Sequence, residues 1–548
     1  MRSLFQGTTK SEAVTEEIQS ETSKDRRLGW ISRTVVLVAC VAGAVGQIWL
    51  LCLSDWTLGV EGEWAWPRFE TRLSIDQWIA AGAAIVLSCL VFIWTIRSKS
   101  NRTTEPSRTA SLVWKLVLIL LGFVWLNAVL AMQMPQGGLS RAVLVMFYPR
   151  TSGYFWQAAY EAEDWKEFLS GYSERISDES DPDTYLHIGT HPPGLAMTHR
   201  MLIGLCRSSP LLATVLETTQ PESVKETMLF LQQHAERDDV LLQRPELAAL
   251  WLSILITQLL VVLTAIPVYL LSRRLVDDRA ARVAAGFWLL VPTVLVFFPK
   301  SDVAFPCLAL WVQLVWLIAL EEDSPLWGAV TAVLLITSAW MSLAFMTIGV
   351  MLFAQLIHQI VLHRKGMRAS IGGTTAGLLL LFGLFMAWEV NLVGIWFQNF
   401  HNHALFYDHN SRTYFSWLGV NLLEVSTAIG APLFVLAICG IFSLRKQFRN
   451  LTAFAILSGL GMGAGLWISG KNMGEAARLW SFLLPYGVLA AAVTLERFLA
   501  EPVTDPSQTN VGASTRKSAW ILFTIWSAQV AVCLAASTIV DGFGFTEL

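Results

Sequence analysis

Long apolar stretches alternate with shorter polar ones along most of this 548-residue chain. A helix that crosses a bilayer needs about 20 predominantly apolar residues, and about thirteen stretches approach or meet that length. Their approximate limits are 34–53, 77–96, 112–133, 247–271, 282–298, 303–320, 326–343, 345–362, 372–390, 416–442, 451–468, 479–499 and 518–540. The pattern predicts an all-α polytopic membrane protein with about 13 transmembrane helices.

One polar stretch, 134–246, is far longer than the others and separates the first three spans from the rest. Within it, residues 154–172 carry apolar and aromatic side chains at helical spacing, which predicts an amphipathic helix on the membrane surface. The chain therefore divides into a disordered cytoplasmic tail (1–29), an N-terminal three-helix membrane segment (30–133), one large extracytoplasmic loop (134–246), the main transmembrane core (247–500), a cytoplasmic linker (501–517) and a C-terminal transmembrane helix (518–548).

Basic residues in the short connections indicate an orientation. Arg273, Arg274, Arg445, Lys446 and Arg449 all fall in connections on the same side as the N-terminal tail. Short cytoplasmic loops are enriched in Lys and Arg, whereas long loops cross largely regardless of charge. We therefore expect a multi-pass protein of the cell membrane (plasma or inner membrane) with a cytoplasmic N-terminus and the 134–246 loop outside.

Composition supports the membrane assignment and narrows the chemistry. The chain is 54% hydrophobic with a mean hydropathy of +0.51, and 15% of its residues are charged, against about 25% in soluble domains. A net charge of −3 gives no indication of a nucleic-acid partner. Seven cysteines, most of them in apolar runs and none in a CxxC pair, predict neither a disulfide framework nor a cysteine metal site.

The end of the long loop carries the most distinctive polar segment, TYLHIGTHPPGLAMTHR (184–200). Pro192 and Pro193 fix the backbone and hold His191 in an extended conformation, and Gly194 lets the chain turn into the next helix. The segment is a candidate substrate-binding turn through His191. A capped junction between a loop and a helix explains the same residues without any function.

Two further groups of polar residues stand at predicted outer ends of spans. Residues 54–70 place Glu61 and Glu63 among three tryptophans, which suits either a catalytic acid or an aromatic belt with solvated acids. The turn FFPKSDVAF (297–305) brings Lys300 and Asp302 together between two spans. Asp302 is a candidate catalytic carboxylate, although capping of the following helix also accounts for an acid there.

The last two groups lie later in the chain. Residues 396–417 contain Arg412, which suits a phosphate because its fork binds oxyanions, and Tyr414. The same stretch has a His401-x-His403 pair, but that spacing is common without a metal, so no metal ligands are assigned. Residues 468–486 hold Glu475 and Arg478 on one helical face, either as a structural ion pair or as groups along a substrate path.

The order of these motifs resembles the GT-C superfamily of polyprenyl-phosphate-sugar-dependent glycosyltransferases, which includes protein O-mannosyltransferases and lipid A aminoarabinose transferases. In that family the first outer loop opens with an acid before a Tyr-rich, Ala-containing helix and closes with His/Lys-Pro-Pro. The resemblance covers roughly residues 112–500 and rests on Tyr154, Phe155 and Ala158, on His191-Pro192-Pro193, on Asp302 in the FPKSDVAF turn, and on Glu475, Arg478 and Pro485.

This chain departs from the family at two places. Two additional spans precede the one that leads into the long loop. The family's acid, expected just before Tyr154, is also absent, because the chain reads Arg150-Thr151-Ser152-Gly153. The resemblance implies that this acid is the general base on the acceptor hydroxyl, so another carboxylate would have to replace it. The candidates are Asp302 first and Glu63 second, followed by Glu61, Glu161 and Asp164; neighbouring tryptophans are expected to raise the pKa of Glu61 and Glu63 by desolvation.

The resemblance implies a membrane glycosyltransferase, a hexosyl- or pentosyltransferase, that moves a sugar from a polyprenyl-phosphate donor to an acceptor on the outer face. The acceptor is a lipid, a glycan or a protein. His191, Lys300, Arg412, Tyr414, Glu475 and Arg478 would bind substrate; no cofactor is certain, and a divalent metal stays open. The alternatives are a transporter or lipid flippase of similar helix count, which should show inverted repeats and broken helices, or a catalytically inactive GT-C-like protein.

Overall fold

A computed structural model describes residues 33–69, 74–97, 108–133, 138–177, 188–234, 236–237, 240–363, 366–499 and 511–543. The predicted tail 1–29 and residues 501–510 of the predicted linker lie outside these ranges. Over the described ranges the chain is an all-α polytopic membrane protein whose sheet content is limited to two short hairpins.

Three long helices and a hairpin precede the long polar insertion. They are α1 (Arg33–Cys52), β1 (Leu58–Val60), β2 (Trp64–Trp66), α2 (Ile75–Ile96) and α3 (Arg108–Met132). The two strands pair antiparallel, with Leu58 opposite Trp66. Ser74 begins α2 through a capping box, in which its side chain and that of Gln77 satisfy each other's backbone N–H groups.

The insertion folds into short helices instead of one long surface helix. Its elements are α4 (Gly138–Phe147), α5 (Tyr154–Tyr160), α6 (Trp165–Ser170), α7 (Tyr172–Arg175), α8 (Gly194–Ser208), α9 (Pro210–Thr218), α10 (Glu222–His234), β3 (Glu236–Arg237) and β4 (Val240–Leu241). The prediction of a single amphipathic helix over 154–172 was therefore wrong. Asp164 accepts hydrogen bonds from the N–H groups of Lys166 and Glu167, which starts a new helix at that point.

The remainder of the chain is a bundle of long helices. It comprises α11 (Arg244–Leu263), α12 (Ala265–Ser272), α13 (Asp278–Trp288), α14 (Thr293–Val296), a 3₁₀ turn (Ser301–Val303), α15 (Phe305–Glu322), α16 (Pro325–Met341), α17 (Ala344–His363), α18 (Arg368–Ala387), α19 (Leu392–His409), α20 (Tyr414–Ile429), α21 (Ala431–Lys446), α22 (Leu451–Ser469), α23 (Ala476–Leu479), a second 3₁₀ turn (Ser481–Leu483), α24 (Leu484–Leu499) and α25 (Val511–Ile539).

Within the described ranges, eleven helices are long and apolar enough to cross a membrane, or twelve if one bent pair is counted as a single span. The expected number of about 13 also included α16, which is apolar but has only 17 residues. The predicted span 416–442 corresponds to the bent pair. Each of the other predicted stretches overlaps one of the eleven helices.

The bent pair consists of α20 and α21, which meet at 103°. Gly430 joins them at φ 90°, in the left-handed region that favours glycine. Gln529 of α25 donates to the carbonyl of Ile429 (2.9 Å) and accepts from the N–H of Leu433 (3.3 Å). Gln47 of α1 likewise accepts from Ala431 N (2.8 Å). These glutamines satisfy backbone groups that the break leaves without helical partners, as a membrane interior requires.

Three spans form the centre of the bundle. Within the most apolar 18-residue stretch of Asp278–Val296, Ser301–Glu322 and Ser481–Leu499, respectively 94%, 89% and 89% of the residues are buried, against 22% in that of α18. The outer helices therefore present most of their apolar surface to lipid. The polar turn 297–302 joins two of the central spans, and residues 470–480 lead into the third. Polar groups at these positions are thus held by the most enclosed part of the protein.

Candidate functional site

Four charged side chains meet where the central spans end. The Arg478 guanidinium donates to Glu475 Oε2 at 2.8 Å, and its Nε lies 3.8 Å from Asp302 Oδ2. Lys300 is close enough for the charges of Arg478, Glu475 and Asp302 to act on its ammonium. The side chains of Asp302 and Arg478 are only 15% and 13% exposed. The structure therefore brings together Lys300, Asp302, Glu475 and Arg478, hereafter the charged cluster.

Short turns, not long helices, hold the charged cluster in place. Asp302 lies in the 3₁₀ turn before α15, and its carbonyl accepts from Ser481 Oγ at 2.7 Å. Thr293 Oγ1 donates to the carbonyl of Ala477 at 2.9 Å, which ties α14 to α23. Glu475 has φ 60°, a left-handed conformation that is strained for a residue with a side chain. These contacts fix the loop that carries Glu475 against the turn that carries Asp302.

The ammonium of Lys300 is strongly affected by its enclosure in the charged cluster. Burial lowers the pKa of Lys300 to about 7, the Arg478 charge lowers it further, and Glu475 and Asp302 act in the opposite direction. Near neutral pH this lysine is therefore divided between its charged and neutral forms.

The long insertion contributes two aromatic rings to the same place. Tyr154, at the start of α5, is buried, and its ring packs edge-to-face on that of His191 with centroids 5.6 Å apart. Burial raises the pKa of Tyr154, the Asp302 charge raises it further, and Arg478 lowers it, so the phenol lies within electrostatic reach of the charged cluster. Tyr154 and His191 therefore stand beside the charged cluster on the insertion side.

The turn that carries His191 is anchored by three buried polar side chains. Tyr172 OH and Asn399 Nδ2 donate to the carbonyl of His191, at 2.9 and 3.1 Å. Asn399 also donates to Gly189 O at 2.8 Å, and Asn402 Nδ2 reaches the carbonyls of Gly189 (2.9 Å) and Ile176 (2.7 Å). Both asparagines belong to α19, so this helix fixes the turn and the residues that follow α7.

Gly194 allows the same turn to contact the bundle. A Cβ at this position would overlap with the carbonyl of Trp340 in α16. His191 N donates to Ile188 O at 3.0 Å and Pro193 has φ −74° and ψ −1°, so the segment is a turn and not the extended stretch that was predicted. This turn leads directly into the residue at which the backbone approaches a transmembrane helix.

Glu63 fastens the β1–β2 hairpin to the start of α20. Its carboxylate accepts from Thr413 N (2.9 Å), from Thr413 Oγ1 and from Trp417 Nε1 (2.6 Å). The side-chain and backbone hydrogen bonds of Thr413 lower the pKa of Glu63, with smaller contributions from Trp417 and Arg412. The expected rise in its pKa was therefore wrong, because hydrogen bonds to the charged form outweigh desolvation.

Arg412 belongs to the same junction. Its Nη1 donates to Glu63 O at 2.7 Å, and its guanidinium lies 5.8 Å from the Trp417 ring centroid. Burial raises the pKa of Tyr407, Arg412 lowers it and Glu475 raises it, so both charges are near that phenol. The direct contacts of Arg412 are thus with the hairpin and with Trp417.

The other candidate residues have separate positions. Tyr414 donates to the carbonyl of Ile468 at 2.6 Å and so supports the loop before Glu475. Glu61 is exposed on the hairpin. Glu161 pairs with Arg175 at 3.2 Å, and Asp164 caps α6. None of these contacts brings Glu61, Glu161 or Asp164 to the charged cluster.

In the part of the chain that the structure describes, no three His, Cys, Asp or Glu side chains form a group that could hold a metal ion. His401 is exposed and His403 is half-buried on α19. Burial lowers the pKa of His403, and Lys471 lowers it further.

Two kinds of residue near the site were missed in the sequence. Asn399 and Asn402 are three positions apart, which places them on one face of α19. Nothing in the sequence distinguishes their amides from those of solvated side chains, because the turn that they hold is distant in the chain. Glu424 is an ionisable residue within an otherwise apolar segment, and that setting alone could have marked it. Tyr154 was noticed only as part of a helix motif.

Similarity to known proteins is found among solved structures. No family model matches the chain, and no curated protein matches it. Among solved structures it is similar to the oligosaccharyltransferase of Archaeoglobus fulgidus, determined in complex with zinc and sulfate, with a TM-score of 0.42 and 15% sequence identity. The match covers 73% of this chain and 52% of the other, so this chain spans about half the length of that enzyme. An overlap of this extent does not assign an activity.

Proposed function

We propose that this protein is a membrane glycosyltransferase that takes a sugar from a polyprenyl-phosphate donor and transfers it to an acceptor hydroxyl at the outer face. The observation that carries the proposal is the charged cluster. Two carboxylates and two basic side chains share one site at the ends of the most buried spans, beside the His-Pro-Pro turn. Ionisable groups at membrane depth usually serve a substrate or ion path.

Each charged group has a task in such a transfer. Asp302 accepts the proton of the acceptor hydroxyl, whose oxygen forms a bond with the anomeric carbon of the sugar. The bond from that carbon to the phosphate oxygen breaks, and the lipid phosphate leaves with the electron pair. Arg478 and the charged form of Lys300 stabilise the negative charge of the leaving phosphate. Glu475 holds the Arg478 guanidinium in position through their 2.8 Å contact.

The insertion residues support substrate positioning. His191 and Tyr154 border the charged cluster, and the contacts of Asn399, Asn402 and Tyr172 hold the turn that carries His191. Glu63 and Arg412 fasten the hairpin to α20, so we assign them a structural part beside the site and leave the general base to Asp302.

A transporter should have paired broken helices in repeated halves of the chain. The described residues contain one such bent pair, α20 and α21, and its backbone groups are satisfied by Gln47 and Gln529. Because this single break has its backbone groups hydrogen-bonded within the protein, we favour an enzyme over a transporter.

The test of the general base uses Asp302→Asn, which keeps the side-chain shape and removes the base. Transfer of radiolabelled sugar from a polyprenyl-phosphate donor is measured in membranes of cells that express the protein, because these contain the native acceptor. We expect a loss of about 10²–10⁴-fold. Asp164→Asn, which alters a helix cap away from the charged cluster, should retain activity. Transfer by Asp302→Asn at the parent rate would contradict the assignment.

Donor binding is tested with undecaprenyl phosphate, the part common to donors with different sugars, on protein in nanodiscs. Arg478→Ala should weaken binding about 10- to 150-fold, the equivalent of about 1.5–3 kcal/mol for a hydrogen bond to a charged group. Arg244→Ala removes an exposed arginine paired with Glu217 in the insertion and is the matched control. Equal affinities for parent and Arg478→Ala would remove Arg478 from the phosphate site.

A further inference from the structure

The residues that follow α25 turn back onto the site end of the bundle. Asp541 N donates to Pro67 O at 2.9 Å, which pairs this stretch with the chain that leaves the β1–β2 hairpin. The same stretch touches the end of α14, because a Cβ at Gly542 would lie 2.5 Å from Val296 O. Residues 540–543, hereafter the return segment, therefore pack directly beside the polar turn that carries half of the charged cluster.

Asp541 fixes the conformation of the return segment. Its carboxylate pairs with Arg141 of α4, and these two side chains are 11% and 8% exposed. The same carboxylate accepts from Phe543 N at 2.9 Å. A buried ion pair is costly to break, because the partner that remains is left as an uncompensated charge. Through this pair, α4 of the insertion determines where Phe543 lies.

Two phenylalanine rings enclose the guanidinium of the same pair. Arg141 Cζ lies 5.0 Å from the ring centroid of Phe69 and 5.1 Å from that of Phe543. A cation and an aromatic ring attract each other within about 6 Å. Phe69 follows the hairpin, and its N–H donates to Ile539 O at 2.8 Å. The hairpin, the insertion and the return segment are thus joined at one guanidinium.

Phe543 also contacts the charged cluster. Lys300 Nζ lies over its ring, 5.6 Å from the centroid. Within the described ranges this ammonium makes no corresponding contact with Phe69. The charged groups that act on the ammonium are Arg478, Glu475 and Asp302. Lys300 therefore has an aromatic neighbour in addition to its charged ones.

We propose that Phe543 is a positioning residue for Lys300. The face of its ring holds the ammonium beside Arg478, so that both cations can meet one lipid phosphate, and the pair of Arg141 with Asp541 keeps the ring in place. The negative ring face offsets part of the repulsion between the two cations. This role rests on the proposed function, because it takes from there the binding of phosphate by Lys300.

The test follows the affinity for undecaprenyl phosphate as a function of pH, with the full chain in nanodiscs. Phe543→Leu keeps an apolar side chain but removes the ring face, which makes the charged form of Lys300 less stable. At about pH 8 we expect an affinity about 2- to 30-fold below that of the parent, the range of cation–ring attraction. At about pH 5, where Lys300 is charged in both proteins, the two affinities should converge. An equal loss of affinity at every pH would mean a structural role only and would contradict the proposal.

Two companion variants show whether the ring face is responsible. Phe543→Tyr keeps the ring face and should follow the pH profile of the parent. Phe69→Leu is the matched control, because Phe69 packs on the same Arg141 without contacting Lys300, and its profile should also be that of the parent. A profile of Phe69→Leu that moves like that of Phe543→Leu would overturn the proposal.

A background of Lys300→Arg separates this role from the proposed function. The guanidinium stays charged, so Phe543→Leu should leave the shape of the pH profile unchanged there. If the parent and Lys300→Arg have identical profiles, the phosphate-binding role of Lys300 is wrong, and the positioning role falls with it. If these two profiles differ but Phe543→Leu follows the parent, only the positioning role is wrong.

A second substitution covers the case in which Phe543→Leu does not fold. Incorporation of 3,4,5-trifluorophenylalanine at position 543 keeps the shape of the ring and weakens the negative potential of its face. The same loss of affinity at about pH 8, with convergence at about pH 5, is expected from the weaker attraction. A parent-like profile of this folded variant would contradict the proposal.

Discussion

Lys300 differs from an ordinary surface lysine because its ammonium is enclosed. Burial and the neighbouring Arg478 lower its pKa to about 7, despite the acids Glu475 and Asp302 beside it. The folded protein therefore releases this proton at a pH well below 10.5, the ordinary pKa of a lysine. Between these two values the unfolded chain binds more protons, so this residue makes the free energy of unfolding rise with pH.

The same shift predicts a pH dependence of donor binding. Lys300 is charged below about pH 7 and neutral above it, so its contribution to binding undecaprenyl phosphate should be lost between about pH 6 and pH 8. Ionisation of the phosphate itself acts in the opposite direction. Affinity is measured across this range for the parent and for Lys300→Arg, whose guanidinium stays charged. We expect the parent to lose affinity relative to Lys300→Arg as the pH rises; identical profiles would show that Lys300 does not contact the phosphate.

At the scale of elements, the break between α20 and α21 determines how the hairpin and the charged cluster meet. Because α20 turns by 103° away from α21, its first residues reach Glu63 and its middle reaches α23. A continuous helix through 416–442 would have carried Trp417 and Glu424 along the direction of α21 instead. The junction at Gly430 is thus a structural requirement of the site.

Gly430→Ala should therefore destabilise the protein. The new Cβ would overlap with the Gln529 side chain, and φ 90° is unfavourable for alanine. We expect a loss of about 1–3 kcal/mol from backbone strain alone, seen as a lower thermal unfolding temperature in nanodiscs. Gly419→Ala, in the same α20, is the control, because a Cβ there meets no atom within 4 Å and alanine favours helix. Unfolding of Gly430→Ala at or above the parent temperature would contradict this account.

At the scale of the whole molecule, all parts of the candidate site lie at one end of the bundle. The hairpin, the insertion, the 297–302 turn, residues 470–480 and the C-terminal end of α25 contact one another there; for example, Phe69 N donates to Ile539 O at 2.8 Å. The short basic connections, such as Arg445 to Arg449, lie at the opposite end. We propose that the site end faces the outside of the cell.

Thiol labelling on intact cells tests this orientation. Cys52 is exposed at the site end, while the other six cysteines are buried or half-buried, so the background carries Cys52→Ser. Ser177→Cys should react with an impermeant thiol reagent on intact cells, because the exposed Ser177 belongs to the insertion. Gln447→Cys, exposed at the opposite end, should react only after lysis. The reverse pattern would mean that the site faces the cytoplasm.

Apolar periodicity and length were sufficient to predict the class of fold. A membrane span must satisfy its own backbone hydrogen bonds, so a long apolar run has few structural options. Charged residues next to long apolar runs are easily recognised in a sequence, and this is how Lys300, Asp302, Glu475 and Arg478 were identified as candidates. The pattern could not show that 416–442 is broken, because Gln47 and Gln529, which stabilise the break, are distant in sequence.

The sequence by itself thus determined the helical class of the fold, the number of membrane spans to within one or two, the long insertion, and which ionisable residues stand at span ends. Only the tertiary structure decided which of them meet. Glu63, a candidate general base in the sequence, accepts hydrogen bonds from Thr413 and Trp417, whereas Asp302 lies beside Arg478. Periodicity is a local property of the backbone, but a pKa, a cavity or an ion pair depends on side chains that packing brings together from distant parts of the chain.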